Sequence, residues 1–198
     1  MTTYPGRVIT AAVLPRTVAI NAALVVSFAL LTALAAQVTI PLPFTPVPIT
    51  GQTFAVLLAG AALGSRLGAA SQGLYWVLGA AGLPFYSDGS GGWDVATGAT
   101  AGYLVGFVVA AYVVGLLAER RQDRKVITAI PAFLTGSAII YVFGVTWLWY
   151  SVDAFTTAEA AMAAGLTPFI VGDLVKIGLA GVLLPSAWRL AGPLRRSR

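Results

Sequence analysis

The sequence predicts an all-α membrane protein, a single bundle of six transmembrane helices with both termini in the cytoplasm. Three observations carry that expectation. Of 198 residues, 58% are apolar and only 10% are charged, and the mean hydropathy is +0.86. A soluble domain carries about 25% charged residues, so there is too little polar surface here to cover a water-facing globule. The apolar residues fall in long runs, and a run of about 20 spans a hydrocarbon core about 30 Å thick. Once six spans are drawn, the basic residues collect on one side, as cytoplasmic loops require. Residues 1–198 read as one integral membrane domain.

The chain opens on a short polar stretch ending at Arg7. The apolar run that follows is too long for a signal-peptide core and has no convincing cleavage site. It reads as a retained first span over residues 17–38. Two pairs of small residues, Ala19/Ala23 and Ala29/Ala33, sit four apart on it, a spacing that lets helices approach closely. Asn21 on the same span predicts a hydrogen bond to a neighbouring helix.

Residues 39–50 hold Pro41, Pro43, Pro46 and Pro48 and no charge, which predicts an extended, stiff segment. The next apolar block, residues 52–82, would make one helix about 46 Å long with Arg66 at its middle. A lone Arg at mid-bilayer is expensive. Two short helices, 52–64 and 67–82, with a turn at Arg66, fit better, although each is short for a span. Residues 84–97, rich in Gly, Ser and aromatics, lead to a fourth span over 98–118. The fifth covers 126–150, and Trp93, Trp147, Trp149 and Tyr150 fall at the outer level as an aromatic belt. Residues 151–165 read as a short helix lying on the outer surface, with Thr156 to Glu159 as a capping box. The sixth span covers 168–190, with Pro168 where a helix start tolerates it.

Charge tests this layout. With the N-terminus inside, Arg7, Arg16, Arg66, Arg120, Arg121, Arg124, Lys125, Arg189, Arg195, Arg196 and Arg198 all face the cytoplasm, which leaves Lys176 alone of the twelve basic residues. The outer loops hold Asp88, Asp94, Asp153 and Glu159 and no basic residue. A five-span layout would put the 119–125 cluster outside. The net charge of +5 is therefore assigned to the inner loops and not to nucleic acid.

Composition also removes chemistry. Without Cys or His there can be no thiolate nucleophile, Cys or His zinc site, haem His ligand or Ser-His dyad. An aspartyl intramembrane protease needs two membrane carboxylates, and only Asp173 lies inside a span. A channel would show polar rings on several spans. No Gly-rich phosphate loop is present, so ATP hydrolysis is not expected of this chain. We expect no enzyme activity, metal or cofactor.

Asp173 and Lys176 are the two ionisable residues inside the predicted spans, and at i, i+3 they share a helix face. Intramembrane charges mark functional sites by default. They also fit a structural ion pair, with Lys176 partly snorkelling. As a site, an acid and a base together suit a zwitterionic or dipolar ligand. The proline segment, ending in Thr50 and Gln52, fits either a rigid turn or a lid over a pocket. Phe85, Tyr86, Asp88 and Trp93 put aromatics beside carboxylates, as an interface belt or as walls for an apolar ligand.

Four stretches then carry a family resemblance: Pro46-Val47-Pro48-Ile49-Thr50-Gly51-Gln52-Thr53; Gly79-Ala80-Ala81-Gly82-Leu83-Pro84-Phe85; residues 98–107; and Thr167-Pro168-Phe169-Ile170-Val171-Gly172-Asp173-Leu174-Val175-Lys176. In order and spacing they resemble the BioY family, the biotin-binding S-components of energy-coupling factor (ECF) transporters. The resemblance implies a six-helix bundle that captures biotin near its outer end for uptake across a bacterial or archaeal cytoplasmic membrane. It places Asp173 and Lys176 against the ligand's polar groups and the 47–52 loop over the pocket. It implies a transmembrane coupling subunit and two cytoplasmic ATPase subunits as partners, docked through small residues of the first helix, for which Ala29 and Ala33 are chosen. The alternative is an S-component for another vitamin or small cofactor precursor, since a flavin or thiamine site would want more aromatic stacking.

Overall fold

The computed structural model describes residues 8–196, with side chains to residue 191. Arg7 and Arg198, counted above among the inner basic residues, lie outside the described residues, as do the side chains of Arg195 and Arg196. Within that range most of the chain is helical. In a bilayer a helix satisfies every backbone N–H and C=O internally, which is why apolar runs of this kind take that form.

A short helix α1 (Ile9–Val13) precedes α2 (Val18–Gln37), and the Thr17 side chain caps α2 by accepting from the Ile20 N–H at 3.2 Å. Asn21 does not reach another helix. Its Oδ1 accepts from Arg16 Nη1 at 3.3 Å. The proline segment is closed at its base, because strand β1 (Thr39–Ile40) pairs antiparallel with β2 (Ile49–Thr50). The ladder stops there because Pro41 and Pro48 flank it and bring no N–H to extend it. The stiff segment is therefore a loop tied at its neck.

The chain continues into α3 (Gln52–Leu63) and α4 (Ser65–Ala80). The break expected at Arg66 falls instead at Gly64, which has φ 89°. A Cβ there would meet Glu119 Oε1 at 2.8 Å. That same oxygen accepts from the Ser65 N–H and the Ser65 hydroxyl, both at 2.8 Å, so a side chain from another helix caps α4. Arg66 sits exposed in the first turn of α4.

Four further helices and a short one complete the fold: α5 (Trp93–Ala96), α6 (Ala101–Glu119), α7 (Val126–Ser151), α8 (Ala158–Gly165) and α9 (Ile170–Arg196). Thr157 caps α8 through the Ala160 N–H at 3.2 Å, replacing the expected Thr156–Glu159 box. Pro168 lies in a 3-10 turn, Thr167–Phe169, so the last α-helix begins two residues later than expected and runs past 190. Among the described residues four helical stretches are long and apolar enough to cross a membrane: Val18–Gln37, Ala101–Glu119, Val126–Ser151 and Ala158–Ala191. α3 is apolar but has 12 residues, and α4 has 16.

α6 is the central helix, packed on α3, α4 and α7. Its glycines allow this. A Cβ on Gly102 would overlap Trp147 of α7, and one on Gly115 would overlap the backbone at Ser65 of α4. The core has two parts. One gathers Tyr75, Tyr86, Tyr103, Phe107 and Phe169; the other gathers Leu57, Val114, Phe133, Ile177 and Leu184. Ala29 and Ala33 belong to the first part and are 1% and 7% exposed. Their side chains pack inside the bundle, whereas Ala19, Ala22, Ala23 and Ser27 of the same helix are exposed.

Candidate ligand-binding site

A pocket opens where the starts of α3 and α9 meet the middle of α7, the first half of α6 and the two loops before α3 and α5. Asp173 and Lys176, one turn apart on α9, form an ion pair, Nζ to Oδ1, at 2.9 Å. Asp173 is 4% exposed. A buried carboxylate survives only when paired and hydrogen-bonded. Here Thr53 donates to Oδ1 at 3.0 Å and Tyr141 donates to Oδ2 at 2.6 Å. Lys176 is held equally fully. Its ammonium donates to Asp173 Oδ1, to Thr53 Oγ1 at 3.1 Å and to the Thr50 carbonyl at 2.7 Å. An ammonium has three donors, and all three have partners. The last of these bonds ties the neck of the proline loop to the ion pair.

Thr50 and Gln52 form a second polar group. Thr50 Oγ1 donates to Gln52 Oε1 at 2.8 Å, and Gln52 Nε2 donates to the Tyr75 hydroxyl. Two aromatic residues of the wall turn their hydroxyls away from the pocket onto backbone carbonyls. Tyr86 donates to Trp76 O and Tyr103 to Gly165 O, each at 2.7 Å. Burial pushes the Tyr86 hydroxyl up to about 12, so it remains a neutral donor. Their rings therefore act as apolar walls. Tyr141 is fixed between Tyr103, met edge-on with centroids 6.3 Å apart, and Phe169, stacked on it at the same separation.

Of the eight residues expected at the site, Asp173, Lys176, Thr50, Gln52 and Tyr86 line the pocket. Phe85, Asp88 and Trp93 do not. Phe85 lies behind the wall, stacked on Tyr75 at 6.4 Å. Asp88 is exposed on its loop with φ 58°. Trp93 is 70% exposed. The sequence reading missed Thr53, Tyr141, Tyr103 and Phe169, which the fold brings to the same place. Thr53 was within reach of that reading, one position beyond Gln52 in a quoted stretch. Tyr141 had no signal, being an aromatic residue in an apolar helix.

A second buried carboxylate lies against Trp188, which stands 15 residues beyond Asp173 on α9, about 22 Å along the helix at 1.5 Å per residue. Asp123, in the connection between α6 and α7, accepts from Trp188 Nε1 through Oδ2. Its Oδ1 is buried without a hydrogen-bond partner. The Arg124 guanidinium carbon stands 4.2 Å from the centroid of the Trp188 ring.

Comparison with known proteins identifies the family and the fold. A sequence model described as the BioY family matches residues 9–193. A protein of Rhodobacter capsulatus named Biotin transporter BioY is 42% identical over 163 residues, covering 78% of this chain and 85% of the relative. A Thermotoga maritima protein of the same name is 37% identical over 144 residues, covering 73% and 82%. Among solved structures, the S-component for biotin from an ECF-type ABC transporter superposes with a TM-score of 0.78 at 22% identity, over 88% of this chain and 95% of that one. With the fold shared and the family model matching nearly its whole length, this chain belongs to the BioY family.

Proposed function

We propose that this chain is the biotin-capturing subunit of an ECF-type vitamin uptake system. The observation that carries the reading is the Asp173 carboxylate, buried at the pocket wall beside Lys176. A carboxylate offers about four lone-pair sites. Three are taken by Thr53, Lys176 and Tyr141, which leaves an acceptor for a ureido N–H of the ligand. The apolar rings of Tyr86, Tyr103 and Phe169 suit the fused ring body. Thr50, Gln52 and the loop over residues 47–50 cover it. Phe85, Asp88 and Trp93 take no part in this reading. Lys176 serves chiefly to balance the Asp173 charge and hold the loop neck in place.

The experiment is a titration of the detergent-purified chain with biotin, riboflavin and thiamine. Biotin binding near one per protomer, without the other two, is the expected result. Binding of either control in place of biotin would move the assignment to another vitamin.

In this reading residues 1–198 form one membrane domain of six spans, with α3 and α4 as two short spans joined at Gly64, and both termini in the cytoplasm. The one-sided distribution of basic residues supports it. Single cysteines at Asp88 and Glu159 should react with an impermeant thiol reagent outside cells, and cysteines at Arg66 and Arg124 should not. Labelling at Arg66 from outside would overturn the orientation. ATP-derived energy reaches this chain through a transmembrane coupling subunit and two cytoplasmic ATPases, since its own sequence has no phosphate loop. The exposed small residues of α2, namely Ala19, Ala22, Ala23 and Ser27, replace Ala29 and Ala33 as the docking face. Ala23→Trp should stop uptake while leaving biotin binding intact; loss of both would refute that placement.

A further inference from the structure

We propose that the Tyr141 hydroxyl, seconded by Thr53, is a specificity-determining positioning device that restricts Asp173 to a neutral, single N–H donor and turns away cationic ligands. The inference rests on the biotin reading above and deepens it. The two hydroxyls approach different oxygens of one carboxylate, Tyr141 at Oδ2 and Thr53 at Oδ1. Lys176 adds the charge-neutralising bond to Oδ1. Neither edge of the carboxylate is left with both oxygens open, so the paired, fork-like contact that a guanidinium prefers has no free face to use. The Asp173 charge is already matched by Lys176, and a second cation in the pocket would face that ammonium without a counterion.

Tyr141 can enforce this because its ring cannot turn aside. It is packed edge-on against Tyr103 and stacked on Phe169. Tyr103 is anchored in turn by its hydrogen bond to the Gly165 carbonyl. The hydroxyl is thus delivered to Oδ2 by three aromatic residues from α6, α7 and the turn before α9. A cyclic urea, which presents one N–H to an acceptor and carries no charge, fits the acceptor that remains. The corresponding cyclic guanidine, 2-iminobiotin in its protonated form, does not.

The test compares biotin with 2-iminobiotin on the full chain in detergent, near neutral pH, where the guanidine is protonated. The parent should bind biotin and discriminate strongly against 2-iminobiotin. Tyr141→Phe keeps the ring packing and frees Oδ2. It should weaken biotin about tenfold while leaving 2-iminobiotin unchanged or tightened, so the preference shrinks by tenfold or more. Raising the pH until the guanidine loses its proton should remove most of the difference between parent and variant. Thr53→Val, which takes one of its two donors from Oδ1 and leaves the Lys176 bond, should shift the preference in the same direction and stands in if the first variant does not fold.

Equal weakening of both ligands in a folded variant would make Tyr141 a mere wall and overturn the proposal. So would an unchanged preference. Failure of both variants to fold would count against it too, because the hydroxyls would then be structural. Failure of the parent itself to bind biotin is a separate outcome, and it strikes the functional reading rather than the role of Tyr141.

Discussion

Asp173 and Asp123 are both almost wholly buried, at 4% and 2% exposure, yet their surroundings treat the carboxylate in opposite ways. Asp173 has a cation and two hydroxyls on its oxygens and lies on a pocket wall. Asp123 has one indole N–H, and its second oxygen has no hydrogen-bond partner. Burial pushes the Asp123 carboxyl up to about 6, against the Trp188 bond and the Arg124 charge, which pull it down. The carboxylate on the pocket wall is surrounded by donors placed in advance. One that only clasps a connection to α9 tolerates a poorer shell. Burial alone does not tell the two apart; the donor set does.

The largest effect expected from breaking this contrast is at Lys176. Lys176→Ala leaves Asp173 buried without its cation, which costs about 3–5 kcal/mol, and it releases the neck of the proline loop. Thermal melts should show a large loss of stability, and biotin titration a loss of binding. Near-parental values in both would mean that the pair does no more than decorate the pocket.

At the other end, Trp188→Phe removes the donor of Asp123 and should destabilise by about 1–3 kcal/mol. Its biotin affinity should remain within about twofold of the parent, since Asp173 lies about 22 Å away along α9. A large fall in affinity would join the two regions and dissolve the comparison.

Asp123→Asn sharpens it by pH. The folded-state pKa lies above the unfolded value, so the native state prefers the protonated acid. The ionised form costs stability above pH 6, and that penalty fades as pH falls toward about 4. The asparagine variant keeps an acceptor for Trp188 and should be more stable at pH 7, by something on the order of 2 kcal/mol. The advantage should vanish near pH 4. Melting curves at the two pH values check it, and an advantage that grew on acidification would have the wrong sign.

The smallest effect is expected at Trp93. Its ring is exposed and outside the pocket, so Trp93→Ala should change stability by less than about 0.5 kcal/mol and leave biotin affinity alone. A clear loss of affinity would return the tryptophan to the site.

What was legible in the sequence follows the same division. Asp173 and Lys176 stood out because charge inside an apolar run is rare and costly. Thr50 and Gln52 stood out because they end a proline-rich segment. Thr53 and Tyr141 depend on which faces of α3 and α7 meet α9, 120 and 32 positions from Asp173, and no local pattern records that. Helix existence was legible from hydropathy, whereas the break at Gly64 in place of Arg66 was decided by a side chain, Glu119, from a different helix. Ala29 and Ala33 show the limit most plainly. Small residues spaced four apart indicate close packing, but they do not say whether the neighbour is the chain itself or another subunit.

The close fit of α6 against its neighbours bears on motion. Where Gly102 lies against Trp147 and Gly115 against the start of α4, no side chain is left to repack, and such interfaces deform in steps rather than continuously. The bundle around the pocket is therefore a poor place for the breathing that would admit a ligand. Movement at the pocket mouth is expected instead in the loop over residues 39–50, whose neck hangs on a short ladder and on the Lys176 bond to Thr50. Loop motions run on nanosecond to microsecond timescales and helix shifts on microsecond to millisecond ones, so relaxation measurements should find the fast process in the loop while α6 stays still.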